Sequence, residues 1–232
     1  MITVRKAADR GLTKLPWLKS FHSFSFGDYR DPAHVGFGPL RVINDDLIAP
    51  GGGFHLHDHR DMEIVTFMIT GRLAHEDSMG NRTTIGAGEV QTMSAGTGIT
   101  HSEFNGSQTY PVRLLQIWIM PAEKGLAPSY RQRAFDVAAK TDRLCPIAAG
   151  DGRGSALVLH QDTAIYASRL SPGGRVAFDA AAGRRVWIQM IEGGMEVNGA
   201  FLGPGDGAAI ENEGSLAAVS APGGEFLLFD LP

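Results

Sequence analysis

Short runs of apolar residues, separated by glycine and proline, recur along the whole of this chain. With 30 glycines and 12 prolines placed between such runs, the pattern favours many short strands over long helices. The apolar runs predict strands at residues 40–43, 63–69, 71–76, 89–93, 113–120, 156–159, 164–170, 186–191, 195–197, 207–210 and 225–231. The predicted fold class is therefore all-β, of the sandwich or barrel type.

One stretch departs from this pattern. Residues 121–140 begin with a proline and are rich in charged side chains. We interpret them as a linker that contains a short helix at residues 130–138.

The sequences on the two sides of this linker are related. Residues 65–71 (VTFMITG) align with residues 187–193 (WIQMIEG), residues 86–88 (GAG) with 203–205 (GPG), and residues 113–121 with 225–232. An internal repeat of this size predicts two copies of one β-domain in tandem. We place the N-terminal domain at residues 1–125 and the C-terminal domain at residues 126–232.

Composition excludes several classes of function. The net charge of −4 is spread over 232 residues without long runs of either sign, so no basic face for nucleic acid is indicated. No apolar run is long enough to span a bilayer, and no signal-peptide pattern opens the chain. The single cysteine, Cys145, cannot form an internal disulfide. We expect a soluble, cytoplasmic protein and interpret Cys145 as a small buried apolar residue.

Histidines and carboxylates are concentrated in the N-terminal copy. His55, His57 and His59 alternate along one stretch, so in a strand their side chains would share a face, and His101 and Glu103 would do the same on another strand. Imidazole and carboxylate groups suit Fe(II), Mn(II), Ni(II), Cu(II) or Zn(II). A cysteine-rich structural zinc site is not indicated. The sequence therefore predicts a site for one divalent transition metal.

The second copy lacks the residues for such a site. The positions that correspond to His57 and His59 in the repeat are Asp179 and Ala181. No histidine follows His160. The metal is therefore expected in the N-terminal copy alone.

These segments resemble the pirin family of bicupins, within the cupin superfamily, and most resemble the bacterial pirin-like quercetinases. The resemblance runs from about residue 10 to the C-terminus. The matching segments are FSFG at 24–27, RVINDD at 41–46, HDHRDMEIVT at 57–66, DSMGN at 77–81, MSAGTGI at 93–99, HSE at 101–103 and QIWIMP at 116–121.

The resemblance implies two cupin domains of the β-barrel or jelly-roll type and one metal ion bound by His57, His59, His101 and Glu103. It favours Fe(II), with Mn, Ni, Cu or Zn as alternatives. Asp58 departs from the family pattern, which usually has proline between the first two ligands. We expect a local change in stiffness and charge there, with the ligand spacing kept.

Other residues near the predicted ligands have alternative roles. His55 has the parity to join the site, but no further ligand is needed, so we interpret it as a supporting or surface residue. Glu63 is a ligand position in many other cupins, and here we interpret it as a residue that orients a histidine. Four further histidines are interpreted as surface or structural residues: His22, His34, His75 and His160. Three phenylalanines are interpreted as core residues that could also wall a pocket: Phe21, Phe24 and Phe26.

For function, the resemblance implies a dioxygenase that takes a flavonol such as quercetin and O2 and releases CO. In that reaction Glu103 accepts the proton of the 3-hydroxyl group. The alternative is a non-enzymatic, iron-binding regulator that acts through a protein partner, and a third reading is another metal-dependent cupin reaction. The oligomeric state is left open.

Overall fold

The computed structural model describes residues 1–232 and consists almost entirely of β-strands. One short α-helix, α1 (Val137–Lys140), and a 3-10 turn (Ala7–Asp9) are its helical elements. The strands are β1 (Ile2–Arg5), β2 (Gly11–Lys14), β3 (Leu18–His22), β4 (Leu40–Ile48), β5 (Gly53–His59), β6 (Glu63–Thr70), β7 (Arg72–Asp77), β8 (Arg82–Gly86), β9 (Glu89–Ser94), β10 (Ile99–Asn105), β11 (Val112–Ile119), β12 (Ser129–Ala134), β13 (Cys145–Ala149), β14 (Leu157–Val158), β15 (Ala164–Leu170), β16 (Arg175–Asp179), β17 (Arg185–Gly193), β18 (Met195–Val197), β19 (Ala200–Leu202), β20 (Gly207–Glu211), β21 (Ser215–Val219) and β22 (Gly224–Leu231). No helix combines the length and the apolar character needed to cross a membrane.

The first of two compact units, the N-terminal unit, comprises residues 11–134 and 159–161. It contains a seven-stranded sheet in the order β12-β9-β6-β11-β4-β3-β2 and a four-stranded sheet in the order β5-β10-β7-β8. Leu73 and Ile85 of the smaller sheet are buried with Met68, Val112 and Leu114 of the larger one. The sheets therefore share an apolar core, as in other two-sheet β-folds.

The C-terminal unit comprises residues 1–10, 135–158 and 162–232. Its sheets have the orders β1-β20-β17-β22-β15-β13-β14 and β16-β21-β18-β19. Its interior is filled by apolar side chains that include Met190, Met195, Phe226 and Leu228. All eight histidines lie in the N-terminal unit, and none in this one.

The two units repeat the same arrangement of seven and four strands. The segments 65–71 and 187–193, which align in the sequence, lie on β6 and β17. Each of these strands is third from one edge of the seven-stranded sheet of its own unit. Both strands end at a glycine with positive φ: Gly71, directly after β6, at 82°, and Gly193, the last residue of β17, at 70°. A Cβ at Gly193 would lie 2.1 Å from the carbonyl oxygen of Gly223, so this turn requires glycine. The predicted all-β bicupin architecture is confirmed.

The predicted helix at residues 130–138 is wrong. Residues 129–134 form β12, which pairs with β9 at the edge of the N-terminal unit. Tyr130 and Gln132 point to one side, where their side chains hydrogen-bond to Thr83 and Thr84, while Arg131 is exposed on the other. This is a two-residue period, which is that of a strand. In this part of the chain, helical structure is confined to α1.

The compact units differ in their limits from the predicted domains. The predicted boundary after residue 125 lies before β12, which belongs to the N-terminal unit. Residues 1–10, with β1, belong to the C-terminal unit, because β1 pairs with β20.

Candidate metal centre and adjoining cavity

The pairing of β5 with β10 brings three of the predicted ligands together. His57 lies directly opposite His101 in the register, and His59 lies opposite Ile99. The ring centroids are 4.4 Å apart for His57 and His101, 4.8 Å for His57 and His59, and 4.9 Å for His59 and His101. One nitrogen of each ring lies within 4.8 Å of the others, close enough to surround a single ion.

A β-bulge decides which residues of β5 face this cluster. His57 pairs with His101, but Glu103 pairs with Phe54, so β5 has one residue more than β10 between these two pairs. The strict alternation expected for His55 is therefore broken. His55 is exposed and packs edge-on against Phe104, with ring centroids 5.1 Å apart. In its place, Phe54 faces the cavity beside the histidines.

Hydrogen bonds leave the histidines able to ligate a metal. Nδ1 of His57 lies 2.8 Å from the carbonyl oxygen of His55, to which it can donate only with its proton on Nδ1. That tautomer leaves Nε2 free as a ligand atom. His101 is buried, and neither of its ring nitrogens has a hydrogen-bond partner. A buried imidazole without partners is costly, and a metal ion would satisfy one of its nitrogens.

The electrostatic environment keeps two of the rings neutral. Burial and the adjacent His57 lower the pKa of His59 to about 4, although Asp58 opposes this. Burial and the neighbouring histidines lower the pKa of His101 to about 2. Neutral imidazole is the form that binds metals, so at neutral pH no proton has to leave these two rings.

Glu103 is the carboxylate of the cluster. It is buried, and its Oε2 accepts a hydrogen bond of 2.9 Å from Nε2 of Gln116, while its Oε1 has no partner. Burial and the nearby Asp46 raise the pKa of Glu103 to about 8, against the opposing effect of the bond from Gln116. Glu103 therefore offers one free oxygen to a cation and holds a proton at neutral pH when no cation is near.

His75 was interpreted as a surface or structural histidine, but it also lies beside the cluster. It stands opposite Glu103 in the pairing of β7 with β10, and its ring centroid lies 5.3 Å from that of His101. Its Nε2 hydrogen-bonds to Asp77 at 3.1 Å, as expected of a structural histidine, but its buried Nδ1 has no partner. His75, His101 and Glu103 thus form a second metal-compatible group that shares two residues with the predicted set. Sequence spacing gave no sign of His75, because only the register of β7 brings it there.

The remaining predicted residues lie around the cluster rather than in it. Glu63 was expected to orient a histidine of the site, but it bonds to none of the clustered histidines. Its carboxylate accepts hydrogen bonds from the backbone nitrogen of His160 at 3.1 Å and from Ser94 Oγ at 2.8 Å. His34 bonds to Asp31 at 2.8 Å. Asp58 is exposed on β5 and accepts a hydrogen bond from Thr100 on β10. Asp58, which departs from the pattern that the resemblance implies, therefore links the two strands that carry the histidines.

A cavity of about 170 Å³ opens beside His57, His59 and Glu103. Its apolar wall includes Phe26 and Trp118, whose ring centroids are 5.3 Å apart and nearly perpendicular. Phe26 therefore walls the cavity, whereas Phe24 is buried in the core and Phe21 packs under Lys19. The residues that line the cavity are Thr13, Leu18, Ser20, His22, Phe26, Asn44, Asp46, Phe54, His57, His59, Glu103, Gln116 and Trp118.

Two repeated β-units, with a histidine and carboxylate cluster in one of them alone, define a bicupin with a single candidate metal centre of this type. The chain belongs to the pirin family: the family model described as Pirin matches residues 3–119. A second model, described as the quercetinase C-terminal cupin domain, matches residues 146–231.

Relatives and solved structures agree with this assignment. A quercetin 2,3-dioxygenase of Escherichia coli strain K12 is 48% identical over 233 residues, which cover 100% of this chain and 99% of that protein. The crystal structure of the bacterial pirin YhhW from Escherichia coli in complex with nickel(II) is 45% identical, with a TM-score of 0.96, and covers 100% of this chain and 99% of that one. A quercetin 2,3-dioxygenase from Acinetobacter baumannii, 22% identical with a TM-score of 0.78 over 95% of this chain and 83% of its own, shares the fold.

Proposed function

We propose that this protein is a metal-dependent dioxygenase that cleaves the heterocyclic ring of a flavonol such as quercetin. The observation that carries the proposal is the position of Glu103. This buried carboxyl group, with one oxygen unpartnered, lies beside three histidines at an aromatic-walled cavity. The name of the Escherichia coli relative and its similarity over the full chain support the same activity.

The donor set fits a divalent transition metal. His57, His59, His101 and Glu103 would hold the ion through three imidazole nitrogens and one carboxylate oxygen, and the unpartnered atoms of His101 and Glu103 are those that an ion would satisfy. Bound there, the metal supplies a Lewis acid and a redox centre for reaction with O2. We propose Fe(II) as the resident ion. The same donors accept Mn, Ni, Cu or Zn, and the Escherichia coli pirin structure contains nickel(II).

The protein side chains bind the flavonol and move one proton. Phe26, Phe54 and Trp118 provide apolar surfaces against which a flat aromatic molecule can pack. Glu103 accepts the proton of the 3-hydroxyl group, and Gln116 holds the Glu103 carboxylate in place through its 2.9 Å hydrogen bond. Once a bound metal has displaced its proton, the Glu103 carboxylate is ionised and can act as a general base for the hydroxyl group.

Overall, both atoms of O2 enter the product. The bonds that join carbon 3 of the flavonol to carbons 2 and 4 break, and carbon 3 leaves as CO. The proton taken by Glu103 is returned to the ring-opened product, so the site is restored after each turnover.

The test is the variant Glu103→Gln, assayed after anaerobic metal loading. We expect it to retain metal through the three histidines and to lose flavonol-dependent O2 uptake and CO release by at least about a hundredfold, since a general base typically contributes that much. Glu63→Gln is the matched control, because Glu63 is also buried but bonds to Ser94 and His160 instead of the cluster. Full O2 uptake by the Glu103→Gln protein would refute the proposed role of Glu103. Absence of flavonol turnover in the metal-loaded wild-type protein would refute the function itself.

A further inference from the structure

A second buried carboxyl group lines the same cavity and has no part in the metal cluster. Asp46 lies on β4, is only 2% exposed, and faces the cavity. In the sheet register it stands between Ser20 of β3 and Leu114 of β11. Ser20 gives it a side-chain hydrogen bond, but its Oδ1 has no partner.

Asp46 cannot be explained as a further metal ligand. The histidines and Glu103 project from β5 and β10 of the four-stranded sheet, whereas β4 belongs to the seven-stranded sheet. The groups of side chains that could surround an ion do not include Asp46. Its free oxygen therefore requires a different partner.

The other polar side chains of the cavity are largely satisfied by one another. His22 bonds to Thr13 at 2.8 Å and to Asn44 at 2.7 Å, and Gln116 bonds to Glu103. Three buried atoms of the cavity-lining residues lack a partner: Oε1 of Glu103, Nε1 of Trp118 and Oδ1 of Asp46. A bound metal would satisfy Oε1 of Glu103, and Nε1 of Trp118 is an uncharged donor. Oδ1 of Asp46 carries the largest unmet free-energy cost, because a buried carboxyl oxygen without a hydrogen bond is strongly unfavourable.

The surroundings of Asp46 define what could satisfy it. A carboxyl oxygen needs a hydrogen-bond donor, and the adjoining walls are the flat aromatic faces of Phe26, Phe54 and Trp118. An aromatic molecule with a hydroxyl group on its ring matches both features. In the proposed reaction the 3-hydroxyl group of the substrate contacts Glu103, so Asp46 would contact a different hydroxyl group.

We propose that Asp46 determines specificity: its carboxyl group accepts a hydrogen bond from a ring hydroxyl of the substrate other than the 3-hydroxyl that Glu103 deprotonates. This inference rests on the proposed function, because it takes a hydroxylated flavonol as the occupant. Its consequence is that the cavity selects polyhydroxylated flavonols over those that carry the 3-hydroxyl alone. A site built to bond a hydroxyl rejects an analogue that lacks it, because the buried acceptor is then left unpaired.

The test compares two ligands and three variants. Quercetin carries ring hydroxyls besides the 3-hydroxyl, whereas 3-hydroxyflavone carries the 3-hydroxyl only. Binding to nickel-loaded protein is measured anaerobically by calorimetry, and kcat/KM is measured with the same two ligands in the oxygenated, metal-loaded enzyme. The variants are Asp46→Leu, Asp46→Asn and, as a control on the opposite face of β4, Asp45→Asn, whose side chain pairs with Arg113.

We expect wild-type protein to prefer quercetin, and Asp46→Leu to weaken quercetin binding by roughly tenfold to a hundredfold, the usual range for a hydrogen bond to a carboxylate. Binding of 3-hydroxyflavone by this variant should be unchanged or tighter. Asp46→Asn, which keeps an acceptor oxygen, should recover part of the preference, and Asp45→Asn should keep all of it.

Two results would overturn the inference alone. The first is equal loss for both ligands in Asp46→Leu, which would give Asp46 a structural role. The second is an unchanged preference in that variant while wild-type protein turns quercetin over. If wild-type protein binds neither ligand, the proposed function fails together with the inference.

Discussion

Metal binding should release a proton from Glu103, and the amount can be worked out from its pKa. A carboxyl group with a pKa of about 8 is about nine-tenths protonated at pH 7 and half protonated at pH 8. Only the ionised group binds a metal, so its proton must leave when the ion enters. His59 and His101, with pKa values of about 4 and 2, are already neutral at these pH values and release almost none.

The perturbation is Glu103→Gln, and the measured quantity is the difference in proton release between wild-type and variant protein. We expect a difference of about 0.9 proton per nickel ion at pH 7 and about 0.5 at pH 8. Isothermal titration calorimetry in two buffers of different ionisation enthalpy gives this number directly. Taking the difference cancels every group that the two proteins share.

The same reasoning fixes the sign of the pH dependence. Below pH 8 the affinity of wild-type protein for the metal should rise with pH more steeply than that of the variant, by up to tenfold per pH unit. Glu63→Gln, a buried carboxylate outside the cluster, should match wild-type protein. Equal proton release in wild-type and Glu103→Gln protein at pH 7 would refute the reasoning: Glu103 would then be ionised before binding or would not contact the metal.

The remaining predictions concern the strands that carry the site. His55→Ala should keep the nickel affinity within about twofold of wild-type protein, because the His55 ring faces away from the cluster, whereas His57→Ala should lower that affinity at least about a hundredfold. Chelator competition measures both affinities, and equal losses in the two variants would contradict the orientation that the bulge gives His55. Gly53→Ala should lower the free energy of unfolding by about 1–3 kcal/mol, since its Cβ would lie 2.4 Å from the carbonyl oxygen of Glu103, while Gly106→Ala, with 3.5 Å of room, serves as the control in denaturant melts. Without metal, the stability advantage of wild-type protein over Glu103→Gln should shrink as the pH rises from about 5 to about 8, because a carboxyl group with a raised pKa favours the folded state only while it is protonated. The histidines with lowered pKa have the opposite pH dependence but are common to both proteins, so paired thermal melts isolate the effect of Glu103.

The all-β class and eleven of the 22 strands could be predicted because their buried positions form apolar runs in the sequence. β6 and β17 each have six consecutive buried residues, most of them apolar, and the pattern repeats in the two halves. Strands β8 and β19, by contrast, carry weak signals: β8 has one buried residue among five, and β19 has three residues, of which Phe201 is exposed. β12 was mistaken for a helix because its pattern of polar residues acquires meaning only from its partner β9.

The sequence indicated the histidines of the site better than their surroundings. His57, His59 and His101 lie together, and Glu103 lies in an overlapping group with His75 and His101. That His57, His59, His101 and Glu103 bind a metal stays a prediction. The bulge that turns His55 away is a property of two paired strands, so alternation within one strand cannot show it.

Residues contributed by distant strands were missed for the same reason. His75, Gln116 and Asp46 reach the cluster or its cavity from β7, β11 and β4, and only the sheet register places them there. Asp46 and Gln116 do lie in segments that resemble the pirin family, RVINDD and QIWIMP, which was the one available signal.

The exchange of edge strands has a consequence for how such a protein can be cut or recombined. Strand β1 completes a sheet of the C-terminal unit, and β12 completes a sheet of the N-terminal unit. A gene fragment that encodes residues 1–125 would therefore carry β1 without its sheet and would lack β12, leaving the edge of β9 unpaired and prone to aggregate. The complementary fragment, residues 126–232, would carry β12 without its sheet and would lack β1, leaving the edge of β20 unpaired. A cut after residue 125 therefore leaves both units without one of their edge strands.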